Sequence, residues 1–239
     1  MIRFYGLRLL KDYIGHAILI GLPVALIYLM VTISQEANHL ASTEEIALYI
    51  GIIYILMFQG FGAAFTFEGL EKDFFSPFKT RLLASPVNPM KFVWANILFS
   101  AIVSFLQGMV LIVYLIVVFG VRIPNWGFVL PILFLGVIFA QLFGALLIFL
   151  TKKANKSQAL LVVYIIVSML VAGFFMPLPN NNFTEFLSKY SSPMSWTHHA
   201  LIQVMDGSYM DALIGVSLLL VTILVLVSLV IRLSKRVIL

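Results

Sequence analysis

The sequence predicts an all-α integral membrane protein with six membrane-spanning helices, and three observations carry that expectation. The chain is 62% hydrophobic and only 10% charged. It contains six apolar runs close to the length of a bilayer crossing, and its basic residues fall almost wholly on one side of those runs. A soluble domain carries about 25% charged residues, and 15 basic plus 10 acidic side chains are too few to clothe a globule of 239 residues. The lipid must supply the covering. The absence of cysteine excludes a disulfide framework and thiolate metal sites. A net charge of +5 in a soluble protein would suggest nucleic acid; here the basic residues mark topology instead, and no nucleic-acid partner is expected.

A helix of about 20 apolar residues crosses a hydrocarbon core of roughly 30 Å. Runs of that kind occupy residues 13–33, 46–66, 92–119, 127–150, 158–176 and 212–231. The third exceeds a perpendicular crossing, so it is tilted or begins in the headgroup layer near Phe92 and Trp94. The first is too long for the apolar region of a signal peptide and lacks a small-x-small cleavage site, so it reads as a retained span.

Sorting the basic residues by connection places Arg3, Arg8, Lys11, Lys72, Lys79, Arg81, Lys91, Lys152, Lys153, Lys156, Arg232, Lys235 and Arg236 on one side, and Arg122 and Lys189 on the other. Basic loops resist translocation, so thirteen against two puts both termini in the cytoplasm. The expected location is a bacterial cell membrane, crossed several times.

Three connecting segments carry more than a turn. Residues 1–12 place Ile2, Tyr5, Leu9 and Leu10 on one face against Arg8, Lys11 and Asp12, the pattern of an interfacial elbow helix or of a basic tail that sets topology alone. Residues 67–91 form a long cytoplasmic connector in which Phe74, Phe75, Phe78, Leu82 and Leu83 alternate with Glu68, Glu71, Lys72, Asp73, Lys79 and Arg81. A short helix over 73–84, ended at Ser85-Pro86, would offer those apolar groups to a partner protein or to the membrane surface. Residues 177–210 hold an amphipathic helix with Phe183, Phe186, Leu187 and Tyr190 on one face, opened by Asn182 and Glu185 as a capping box. A second helix starts at Ser192-Pro193 and stops at Gly207, and the pair forms an external lid or a re-entrant hairpin.

Polar residues inside the spans are few. Gln59, Gln107 and Gln141, with His16 one turn into the first span, are candidates either for a translocation path or for interhelical hydrogen bonding. His198-His199 lacks a ligand at i+3 or i+4 and reads as a surface or interfacial pair. Gly51, Gly60 and Gly62 read as notches for close helix packing.

The order of these segments resembles the type-2 ABC exporter permeases, a family that includes drug, antibiotic, polysaccharide and peptide exporters. The resemblance rests on the acidic and basic cluster Glu71-Lys72-Asp73, the stretch Leu82-Leu83-Ala84-Ser85-Pro86-Val87-Asn88-Pro89, and the later Pro177-Leu178-Pro179 and Ser192-Pro193-Met194-Ser195-Trp196. Lys72 stands where the family usually has arginine, and Phe74 to Pro77 lengthen the spacing to Ser85-Pro86. By resemblance, a separate ATPase, present in two copies, binds ATP and Mg, and this chain holds no cofactor. The sequence contains no G-x-x-x-x-G-K-[ST] phosphate loop, in keeping with that division. The resemblance further implies a coupling helix near 73–84 seated on the ATPase, with Glu71, Asp73, Phe74, Phe75, Phe78, Arg81 and Leu82 as coupling residues. It also implies a second permease chain, identical or homologous. Two other classes share the topology: an intramembrane lipid-modifying enzyme, which needs paired carboxylates, histidines or a nucleophile that no two spans supply, and a membrane scaffold or sensor subunit.

Overall fold

A computed structural model describes residues 13–37, 42–84, 86–175, 178–179 and 181–238. The expected elbow helix over 1–12 lies outside the described residues, as do Ser85, Pro177 and the C-terminal Leu239. The described chain is helical throughout: α1 Tyr13–Ala37, α2 Thr43–Phe61, α3 Ala63–Phe74, α4 Phe78–Leu83, α5 Pro89–Phe119, α6 Trp126–Thr151, α7 Ala154–Val171, α8 Asn182–Tyr190, α9 Pro193–Met205 and α10 Tyr209–Ile238. Six helical stretches are long and apolar enough to cross a bilayer: α1, α2 with α3, α5, α6, α7 and α10. The molecule is an all-α membrane protein.

The second span extends well past its apolar run. Its helix begins at Ser42, whose side chain accepts from the Glu45 amide while the Glu45 carboxylate accepts from the Ser42 amide. It continues to Phe74, because residues read as connector present a buried, mostly apolar face: Phe67, Gly69, Leu70 and Phe74 are buried, with Asp73 beside them. The only break comes at Gly62, which closes α2 and opens α3. The third span starts at Pro89 in the first turn, behind an Asn88 cap that accepts from the Met90 amide. It ends where Gly120 adopts φ 68°, a conformation that costs other residues steric energy.

Helix α6 is the axis of the bundle. It packs against α10, α3, α9, α5, α7 and α2, and its buried positions run around much of its circumference from Val129 to Phe149. On α5, by contrast, burial recurs every three to four residues from Val93 to Leu115, while Leu98, Ile102, Leu106, Val110, Val113 and Val117 face outward. Outward-facing apolar residues of this kind also cover α1, α7 and α10, a surface suited to lipid and not to water.

Glycine lets the helices approach. A Cβ on Gly51 would lie 2.4 Å from Leu115 Cδ1, one on Gly62 2.3 Å from Ser104 Oγ, and one on Gly60 3.1 Å from Ile165 Cδ1. All three notches face a neighbouring helix. One end of the bundle carries Lys79, Arg81, Lys91, Lys152 and Arg232, and is called the basic end; the opposite end carries Glu44, Glu45, Glu185, Asp206 and Asp211.

At the acidic end, α8 has no buried residue, whereas α9 is wedged among α2, α6, α7 and α10. The N-cap of α8 is Asn181, one residue earlier than the sequence pattern suggests, and its box partner is Thr184 and not Glu185. Glu185 instead pairs with Lys189 at 2.6 Å on the exposed face. Helix α9 opens with the Ser192 and Ser195 capping box, with Pro193 in its first turn, and the chain turns away at Gly207 with φ 82°.

Candidate functional site

Three features stand out as candidate sites: a polar seam inside the bundle, a corner at the basic end, and a cleft at the acidic end.

The seam runs along α5, where Asn96, Ser100, Ser104 and Gln107 share one buried face. Gln141 of α6 is fully enclosed; its carbonyl accepts from the Thr66 hydroxyl at 2.6 Å and its amide donates to Ser104 Oγ at 2.9 Å. Three helices are thereby joined through one side chain. Gln107 contacts His16 Nδ1 at 2.9 Å, tying α5 to α1. Gln59 lies against Gly108, where any Cβ would come within 2.3 Å of its amide nitrogen, and its carbonyl oxygen has no partner among the described residues. All three glutamines therefore sit between helices of a single chain. Interhelical bonds of this kind contribute roughly 0.6 kcal/mol each and up to about 1.7.

The basic-end corner is built where α3 ends. Ser76 and Pro77 turn the chain, the Ser76 hydroxyl donating to Lys72 O and accepting from the Phe78 amide at 3.1 Å. Helix α4 then runs for six residues, much shorter than the helix over 73–84 that the sequence suggests. The seven nominated coupling residues divide by direction. Asp73, Phe74 and Leu82 are buried in the chain itself, and Phe74 and Phe75 each pack on Phe149 with ring centroids 6.3 Å apart. Glu71 is half-buried, whereas Phe78 and Arg81 face outward. The outward face also presents Leu83, which the nominated set omitted. The interleaving of aromatics and charges suggested one amphipathic helix; the turn at Ser76-Pro77 splits it, so that Phe74 belongs to the end of the span and Phe78 to a separate, exposed helix.

At the acidic end, α1, α2 and the segment after α7 enclose a cleft of about 570 Å³. Met30, Ile46, Tyr49, Tyr54, Phe174 and Phe175 form most of its wall, and Glu45 stands exposed at the rim. Behind that wall lies His198 of α9, edge-on to Tyr49 at 5.2 Å and tilted against Phe174 at 4.6 Å. This is a correction to the surface placement suggested for the His198-His199 pair: His198 is buried, and its Nε2 has no hydrogen-bond partner among the described residues. Burial pushes its pKa down to about 3, with His199 adding to the shift. No sequence periodicity announces the cleft, because it arises from the packing of two consecutive helices against a segment more than 100 residues further on.

A bundle of six spans with an apolar, aromatic-walled cleft at one end and a short exposed helix at the other defines a polytopic membrane protein. Residues 16–232 match the family model described as ABC-2 family transporter protein, and the chain belongs to that family. Members are membrane subunits of ABC transporters that work with an ABC ATPase. A search of curated proteins finds no match.

Proposed function

We propose that this chain is half of the membrane unit of a bacterial ABC exporter for an amphipathic or hydrophobic cargo: a drug, an antimicrobial or toxin peptide, or a lipid-like compound. The cleft carries this reading. Its apolar and aromatic wall accepts a hydrophobic body, while Glu45, exposed at the rim, accepts a polar or cationic head. An inorganic ion would require a ring of carbonyls or charges, and the wall has a single carboxylate. Gln107 and Gln141 then hold helices together through their hydrogen bonds, and the cargo route follows the cleft between α1, α2 and α7.

A second permease chain, identical or homologous, completes the pathway, and two ATPase copies supply ATP hydrolysis with Mg. The thirteen basic residues support a cytoplasmic basic end, so α4 meets the ATPase and the cleft opens outward. Force enters at Phe78, Arg81 and Leu83, the exposed face of α4, with Phe75 and Leu82 anchoring that helix to the bundle. Reconstitution with the ATPase in proteoliposomes tests this. ATP should drive accumulation of an amphipathic dye, and Phe78→Glu should abolish it while membrane insertion is preserved. Ion flux without dye movement would overturn the assignment.

A further inference from the structure

We propose that Lys79 is a positioning residue that latches α4 to the last turn of α10, so that a displacement of α4 reaches the sixth span directly. The inference rests on the reading of α4 as the ATPase contact.

The geometry begins with a bond across 158 residues of sequence: Lys79 Nζ donates to the backbone carbonyl of Val237 at 2.6 Å. The last carbonyls of a helix have no donor within their own helix, and they form the negative end of its dipole. A cation is the natural cap for them. The basic side chains within the same turn, Lys235 and Arg236, are exposed, so the cap comes from another element. A second contact holds the same turn. Ser234 is fully buried, and its hydroxyl lies 3.1 Å from the sulfur of Met90, in the first turn of α5. The end of α10 is thus gripped by both flanks of the connector between α4 and α5.

Packing shows why such a grip matters. Helix α10 lies along α6 and α9, whereas α4 rests on α3. A push on α4 therefore travels through α3 toward α6, and Lys79 adds a route to α10 that bypasses the bundle axis. Lys79 itself is only half-exposed, its side chain being committed inward while Phe78 and Arg81 on either side of it in α4 face out.

The test is made on the complete complex in proteoliposomes, measuring cargo moved per ATP hydrolysed, ATPase affinity and hydrolysis rate together. Lys79→Met keeps the length of the side chain and removes the donor. It should leave assembly and hydrolysis near wild type while lowering cargo per ATP about fivefold or more, the size of a typical coupling effect. Lys79→Arg should restore most of it. Because the chain has no cysteine, Lys79→Cys with Val237→Cys supplies a second arm: joining the pair with a short bifunctional reagent should recover the coupling that the reduced pair lacks. Unchanged cargo per ATP in Lys79→Met, a loss of ATPase affinity that accounts for its defect, or arrest of transport by the cross-link would each overturn the latch. Phe78→Glu separates the two levels. If it uncouples transport and Lys79→Met does not, the latch alone fails; if neither uncouples, the role of α4 fails with it.

Discussion

His198 shows what a single buried side chain costs and when the cost is felt. Its imidazole is enclosed by Tyr49, Phe174 and the body of α9, with one ring nitrogen unpartnered among the described residues. Above the ordinary histidine pKa near 6.5 it is neutral both folded and unfolded, and pH leaves its contribution unchanged. As pH falls below that value the unfolded chain binds a proton, while the folded chain, with a pKa of about 3, does not. Folding stability should therefore decline by about 1.4 kcal/mol for each pH unit descended in that window. His199, whose pKa burial also lowers, adds to the decline in the same direction. Thermal unfolding of purified protein in detergent at a series of acid pH values reads this slope. His198→Phe, close in shape and free of the titration, should remove the larger part of it; an undiminished slope would assign the effect elsewhere.

At the scale of elements, the contact between α3 and α5 depends on a single missing methyl group. Gly69 faces Asn96 so closely that a Cβ would sit 1.9 Å from the amide nitrogen. Asn96 is buried, so it has little room to withdraw. Gly69→Ala should destabilise the bundle by about 1–3 kcal/mol, the usual penalty of overpacking. Gly127→Ala serves as the control, because nothing lies within 4 Å of its added carbon. Equal melting temperatures for the two variants would show that Asn96 yields freely. Gly69 also marks the limit of what the sequence disclosed. Hydropathy located the apolar centre of each span, since that signal needs only composition. It did not reveal that α3 continues to Phe74, because Glu68, Glu71, Lys72 and Asp73 lower the hydropathy of a stretch in which Phe67, Leu70 and Phe74 are buried. The glutamines were visible as polar interruptions, but not their partners Thr66, Ser104 and His16, which are set by packing between distant helices. The same is true of the cleft and of the Lys79 latch.

For the whole molecule the decisive quantity is its asymmetry between two ends. Hydrophobicity alone permits either orientation in the membrane. The basic residues break that degeneracy: Arg81, Lys91, Lys152, Lys153, Lys156 and Arg232 gather at the end that holds α4, opposite Glu44, Glu45, Glu185, Asp206 and Asp211. In the proposed reading, the positive-inside rule puts α4 on the side of the ATPase and turns the cleft outward. The two expectations are coupled, since an inverted chain would hold α4 on the side away from that ATPase. Because cysteine is absent, one thiol can be introduced at a time without background. Arg81→Cys at the exposed face of α4 should be shielded from a membrane-impermeant maleimide in intact cells and become reactive once the cells are opened. Lys189→Cys on exposed α8 should react in intact cells. Both side chains face away from the core, so neither substitution should compromise folding. Labelling of Arg81→Cys with the membrane intact would reverse the orientation and remove the physical basis for ATP-driven coupling through α4.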